Sequence, residues 1–353
     1  MDSSKDIVRD HRKNNFDFLR IAAALLVLFS HQYALSGLPE PAIFGMSAGT
    51  FAVLVFFSIS GFLVSQSWRQ DANPLRFLAK RFLRIWPGLA AATLLTAFVL
   101  GPAVSSLDAQ AYFSHPALTD FLRNLKITTV RYFLPGVFED NIYPKAVNGS
   151  LWTIPLEVRC YFALLVAGCL GLMRKPVLVV LATFALGIHY FAFNPDPNRY
   201  QVHFGLYFFA GVCLDLFRRH WEGKSFLLLA IPAAIALALH AAGLPQLALV
   251  LVVPCAAILI GCQSTPGLKD AGKYGDISYG IYIYAFPVQQ TVLWALDKDT
   301  AFASGLALAV LMTVFCALLS WHLVESPALR LKSYLPQWPT LPWLSPRMKI
   351  VNR

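Results

Sequence analysis

Arg20 and His31 stand eleven positions apart in an otherwise apolar stretch. On a helix, eleven steps of 100° make about three whole turns, so both side chains leave one face, about 16 Å apart along the axis. A guanidinium can hold a phosphate or carboxylate, and an imidazole can take a proton near neutral pH. The plainer alternative is an Arg20 that snorkels to lipid phosphate and a His31 that hydrogen-bonds between helices. Charge at membrane depth costs about 2.5 to 3.5 kcal/mol on insertion scales, which weights such groups toward function. Asp17, three residues before Arg20, is placed to orient or neutralise it. Glu157 lies about six residues inside its own apolar stretch and His31 about five, which predicts matching depth, roughly 8 to 9 Å below the outer boundary. Brought together, the two would make a base with an orienting carboxylate, an arrangement that activates a hydroxyl. A buried Glu157 paired with some cation is the alternative. Arg159 is a poor candidate for that cation, about 200° away around the helix.

Arg76, Lys80, Arg81 and Arg84 follow Pro74, a residue suited to a helix start. Their i, i+4 and i, i+3 spacing predicts several cations on one short helix. Anionic lipid and a phosphate-rich ligand both fit such a cluster. The six cysteines lack metal-type spacing, so no metal site is expected and they read as packing residues. His115 and Asp120 have His-x4-Asp spacing and Asn148-Gly149-Ser150 is a glycosylation sequon, but both patterns arise easily by chance. His189, His203, His240 and His322 are isolated and read as packing or hydrogen-bonding residues.

These residues need a membrane to give them depth. With 57% hydrophobic and 14% charged residues, the chain does not have an ordinary soluble surface. Apolar stretches near the length of a spanning helix recur ten times, at about 16–36, 46–66, 81–101, 151–172, 177–193, 201–217, 225–241, 246–262, 277–296 and 301–324. The expected fold is an all-α, polytopic transmembrane bundle of about ten helices. It has a membrane domain over 16–332, between terminal tails at 1–15 and 333–353. The first stretch is too long for a cleaved signal peptide. The net charge of +10 forms no single basic face, so nucleic acid is not an expected partner. One side of the predicted topology holds only Arg123, Lys126, Arg131, Lys145, Arg199 and Lys298; apart from Arg159 within a span, every other Lys and Arg falls on the opposite side. That asymmetry puts both termini in the cytoplasm and makes 102–150 a long external connection. No internal repeat of transporter type is visible.

Six pieces in order resemble the acyltransferase 3 family of membrane O-acyltransferases: 15–22 followed by His31, 56–63, 80–87, 150–157, 277–283 and Val324-Glu325-Ser326-Pro327. Together they cover about residues 14 to 332. The resemblance implies transfer of an acyl group, commonly acetyl, from cytoplasmic acyl-coenzyme A to a hydroxyl of a carbohydrate or lipid-linked glycan acceptor. The usual setting is the bacterial cytoplasmic (inner) membrane. It further implies essential roles for Arg20, His31, Arg81 and Arg84, and a site role for Glu157. In this scheme Arg81 and Arg84, with Lys80 and Arg20, hold the coenzyme's phosphates. His31 acts as base, and a covalent intermediate on His31 or on a serine such as Ser60 is an open alternative. Many relatives have a histidine where this chain has Ala285, so no role falls to that position. A secondary transporter or exporter of a polysaccharide or lipid-linked intermediate is the competing reading, since buried charges in several spans also serve permeation.

Overall fold

The computed structural model describes residues 14–193, 200–296 and 302–336. Lys5, Arg9, Arg12, Lys13, Arg199, Lys298, Arg347, Lys349 and Arg353, which entered the charge count, lie outside the described residues, as does most of each terminal tail.

A helix stands at each predicted stretch: α1 (Phe16–Leu35), α2 (Ala48–Gln70), α3 (Pro74–Leu95), α4 (Ile154–Cys169), α5 (Pro176–Phe193), α6 (Tyr200–Leu216), α7 (Ser225–Ala241), α8 (Pro245–Cys262), α9 (Ser278–Ala295) and α10 (Phe302–Ser320). Among the described residues six helical stretches are long and apolar enough to cross a membrane, those containing α1, α2, α3, α4, α8 and α10. α5, α6 and α7 hold shorter apolar stretches.

The third stretch begins earlier than its hydropathy predicts, at Pro74. Asn73 Oδ1 accepts from the Arg76 amide at 3.1 Å, capping a start that proline's fixed φ favours. The basic run is therefore the first part of the helix, invisible to a hydropathy criterion. α3 continues through a π-helical turn, Thr96–Leu100, to Val104; α10 does likewise through Trp321–Glu325 to Arg330. Between α1 and α2 a two-residue turn with positive φ at Phe44 and Gly45 joins β1 (Ala42–Ile43) to β2 (Met46–Ser47), the twist that tight hairpins favour.

The chain divides into two compact units. The first comprises 1–53, 83–158 and 263–330, and is organised on α9, which is buried along most of its length. The apolar residues of α9 pack on α1 and α10, and its fully buried glutamines fix the register. Gln289 Nε2 donates to Leu28 O at 2.9 Å and Gln32 Oε1 at 2.8 Å. The connection after α3 is no loose loop: it has its own core of Ala97, Tyr112, Phe121, Val137, Phe138 and Val147. Tyr112 donates to Ala97 O at 2.7 Å, and burial pushes its phenol up to about 12. His115 Nδ1 accepts from the Ala117 amide at a helix start, and Asp120 pairs with Arg123 and Arg131, so the His-x4-Asp pattern has a structural use.

The second unit comprises 54–82, 159–262 and 331–353. Within it α2 and α6 meet backbone to backbone: a Cβ at Gly61 would stand 1.8 Å from Phe208 O, and one at Gly211 2.1 Å from Ser58 O. Small residues allow this approach between apolar helices, where van der Waals contact drives association. Asp215, 1% exposed, accepts from Ser65 Oγ at 2.6 Å and pairs with Arg69 at 3.2 Å.

Candidate functional site

The first unit assembles its charges around the N-terminal ends of α1 and α9. Arg20 is on the second turn of α1 and pairs with Asp17, as the three-residue spacing predicts. Its other terminal nitrogen, Nη1, lies 3.1 Å from Asp276 Oδ2. Arg84, on α3, donates from Nη2 to that same oxygen at 2.5 Å. Asp276 Oδ1 accepts from Ser278 Oγ at 2.6 Å, so two guanidiniums and a hydroxyl share one carboxylate. Burial alone would raise the Asp276 carboxyl; the Arg20 and Arg84 cations and the Ser278 hydrogen bonds hold it well below the usual carboxylate range. The Arg84 guanidinium also lies over the Tyr279 ring, 5.8 Å from its centroid, while the Tyr279 hydroxyl donates to Ile85 O at 2.8 Å.

His31 leaves α1 toward α9 too, where its ring meets Phe286 edge-on at 5.5 Å. Arg20 and His31 thus both turn toward neighbouring protein, the arginine to Asp276 just ahead of α9 and the histidine to α9 itself. With α1 unbroken between them, their separation is that of eleven helical steps, about 16 Å. His31 Nδ1 is sealed from solvent and has no hydrogen-bond partner. The residue is nonetheless partly exposed, so its accessible surface lies elsewhere on the side chain.

Glu157 occupies the first turn of α4. Four residues before it, Thr153 Oγ1 and the Tyr282 hydroxyl are 2.7 Å apart, and Asn148 Nδ2 donates to Ile283 O at 2.9 Å. These contacts set the start of α4 against the first half of α9. His31 lies alongside Phe286, a turn further along α9. A hydrogen bond from Nδ1 to Glu157, which equal depth would allow, is not made, since Nδ1 has no partner. Asn148, the sequon asparagine, is 2% exposed and committed to the fold.

The remaining cations have other surroundings. In the second unit Lys80 Nζ is 2.6 Å from Asp71 Oδ2, and Arg76 pairs with Asp71 Oδ1. Arg81 lies over the rings of Phe77 and Tyr161, at 5.9 and 5.8 Å, and donates to Ser67 Oγ at 3.4 Å. Ser60 Oγ is 3.2 Å from the Tyr161 hydroxyl. Sequence reasoning brought out the arginines but gave no role to Asp276, nor to Glu325, which it met only within Val324-Glu325-Ser326-Pro327. Glu325 is 2% exposed on the α10 π turn; Ser320 donates to its Oε1 at 2.9 Å, and Oε2 is sealed without a partner. The available signal was the need of buried arginines for counter-charge. For Asp276 it was the position of an acid directly before a helix start. Among the described residues no group of His, Cys, Asp and Glu could hold a metal.

A family model described as an acyltransferase domain matches residues 13–322. An O-acetyl transferase of Shigella phage Sf6 is 34% identical over 326 residues, covering 89% of this chain and 96% of that protein. Nodulation protein 10 of Rhizobium leguminosarum bv. viciae is 28% identical over 378 aligned positions, covering 95% and 98%. No solved structure matches. With the family model spanning nearly the whole sequence, the chain belongs to the acyltransferase 3 family of membrane O-acyltransferases.

Proposed function

We propose that the protein moves an acyl group, acetyl by analogy with the O-acetyl transferase of phage Sf6, from cytoplasmic acyl-coenzyme A to a hydroxyl of a carbohydrate or lipid-linked glycan. It does so as a ten-span protein of a bacterial cytoplasmic membrane with both termini inside. The observation that carries this reading is the arginine pair: Arg20 and Arg84, from different helices, converge on one anion site, and α1 carries His31 about 16 Å further along. Phosphates of the donor bind at Arg20 and Arg84, and the pantetheine arm reaches toward His31. With its proton on the sealed Nδ1, His31 has a lone pair on Nε2 for the acceptor hydroxyl. The hydroxyl oxygen attacks the thioester carbonyl as Nε2 takes the proton. The new C–O bond forms, the C–S bond breaks, and the imidazolium returns the proton to the departing thiolate. Glu157 acts by its charge on the tyrosine side of the site.

Turnover of acetyl-coenzyme A by the membrane-inserted protein tests the scheme, with coenzyme A release as the readout. His31→Ala is expected to lower kcat at least 100-fold with coenzyme A affinity kept, on the scale of general-base loss; Arg84→Ala is expected to weaken that affinity. Near-normal turnover in folded His31→Ala protein would remove the histidine from the chemistry. A transporter would instead move its substrate without consuming acyl-coenzyme A.

A further inference from the structure

Asp276 does not pair with its arginines in the usual forked way. One oxygen, Oδ2, faces Nη2 of Arg84 at 2.5 Å and Nη1 of Arg20 at 3.1 Å, while the other is held by Ser278. A single oxygen between two guanidiniums is also how a phosphate oxygen would sit there. The trio is reachable: the side chains of Arg20, Arg84 and Asp276 retain 21%, 19% and 14% of their exposure. Arg20 is also paired on its other side with Asp17, so an incoming anion meets cations that already have carboxylate partners.

We propose that Asp276 is the built-in anion of the donor site: it occupies the Arg20–Arg84 pair when the site is empty, gives way to a phosphate group of the donor, and returns to expel coenzyme A after transfer. The inference rests on the reading that donor phosphates bind these arginines. Its physical basis is that a largely buried cation pair left without an anion is costly, which favours occupation by one anion or another. Binding is then an exchange of carboxylate for phosphate. The protein's own carboxylate weakens the site for donor and product alike, which favours release once the thioester is spent. Ser278 anchors Asp276 from the first residue of α9, so the aspartate can swing away from the arginines and still be recaptured.

The test is titration of the full-length protein in lipid nanodiscs with coenzyme A, together with its inhibition of turnover. Asp276→Asn, which keeps size but removes charge, should bind coenzyme A at least threefold more tightly and show stronger product inhibition with a lower kcat. Asp17→Asn should tighten binding less, because Asp17 touches only one of the two arginines. Equal or weaker affinity in folded Asp276→Asn protein overturns the proposal, as does an equal gain from Asp17→Asn, which would reduce the effect to general charge. If Asp276→Asn does not fold, Ser278→Ala carries the same test: loosening the anchor should tighten coenzyme A binding, and unchanged or weaker binding overturns the proposal. Arg84→Ala separates the two layers. If it leaves coenzyme A affinity intact, the donor reading itself fails; if it weakens affinity while Asp276→Asn tightens nothing, only the built-in anion fails.

Discussion

Asp71 closes the turn between α2 and α3 by accepting from both Arg76 and Lys80. Burial would raise its carboxyl, but the hydrogen bonds and charges of Arg76 and Lys80 bring it below its ordinary value of 3.8. A carboxyl lowered by folding stabilises the folded state at pH above 3.8, and that contribution is lost as pH falls from there through the folded value. Asp71→Asn should therefore cost about 1 kcal/mol at neutral pH. Thermal unfolding measured down a pH series should show the gap to the parent closing below about 3.8; a constant gap would mean that its cause is not charge. The same pairing shows why a sequence can present four cations and still not say what each one does. Spacing on a helix placed Arg20 and His31 correctly, because helix geometry is the same in every protein. The partners of Arg84 and Lys80 depend on tertiary approach: Arg84 meets an aspartate far away in the sequence, and Lys80 one nine residues back.

The elements were legible wherever apolar length marks them, and less so where polar groups do the positioning. The long connection after α3 carries no apolar stretch of spanning length, yet its last part is docked on α9 by one side chain. Gln290, fully buried, donates to Tyr143 O and Ala146 O at 2.8 Å each and receives Asn141 Nδ2 on its own Oε1 at 2.9 Å. This seats Tyr143 edge-on to Phe286, the residue that in turn contacts His31. No local pattern announces such a glutamine, since its partners are backbone groups that any sequence would offer. Gln290→Ala leaves those carbonyls without their donor, at a cost of about 1 to 3 kcal/mol where they are buried. Hydrogen–deuterium exchange should report it at the amides of Lys145 and Val147, which now donate to Phe138 O and Tyr132 O. Faster exchange there, with α1 amides unchanged, is the expected result; uniform exchange across both would mean that the connection holds without Gln290.

For the whole molecule, the asymmetry of Lys and Arg between connections bears on topology, while the division into two compact units had no visible trace. Charge asymmetry is a property of composition, written segment by segment. The units are not, because α2, α3 and α4 each give one end to each unit, and no linker, composition shift or repeat marks the passage. Orientation is open to direct chemistry, because the cysteines of the described helices are all free thiols and can be replaced without breaking a disulfide. In protein whose six cysteines are replaced by alanine, Tyr143→Cys places a thiol in the connection between α3 and α4. Glu222→Cys and Lys273→Cys place one after α6 and one before α9. Tyr143, Glu222 and Lys273 are all accessible at the surface. A membrane-impermeant maleimide applied to intact cells should label Tyr143→Cys, and should reach the other two only after the membrane is opened. The opposite pattern would put the Arg20–Arg84 pair on the outer face, away from any cytoplasmic donor, and the direction of acyl transfer proposed above would fall with it.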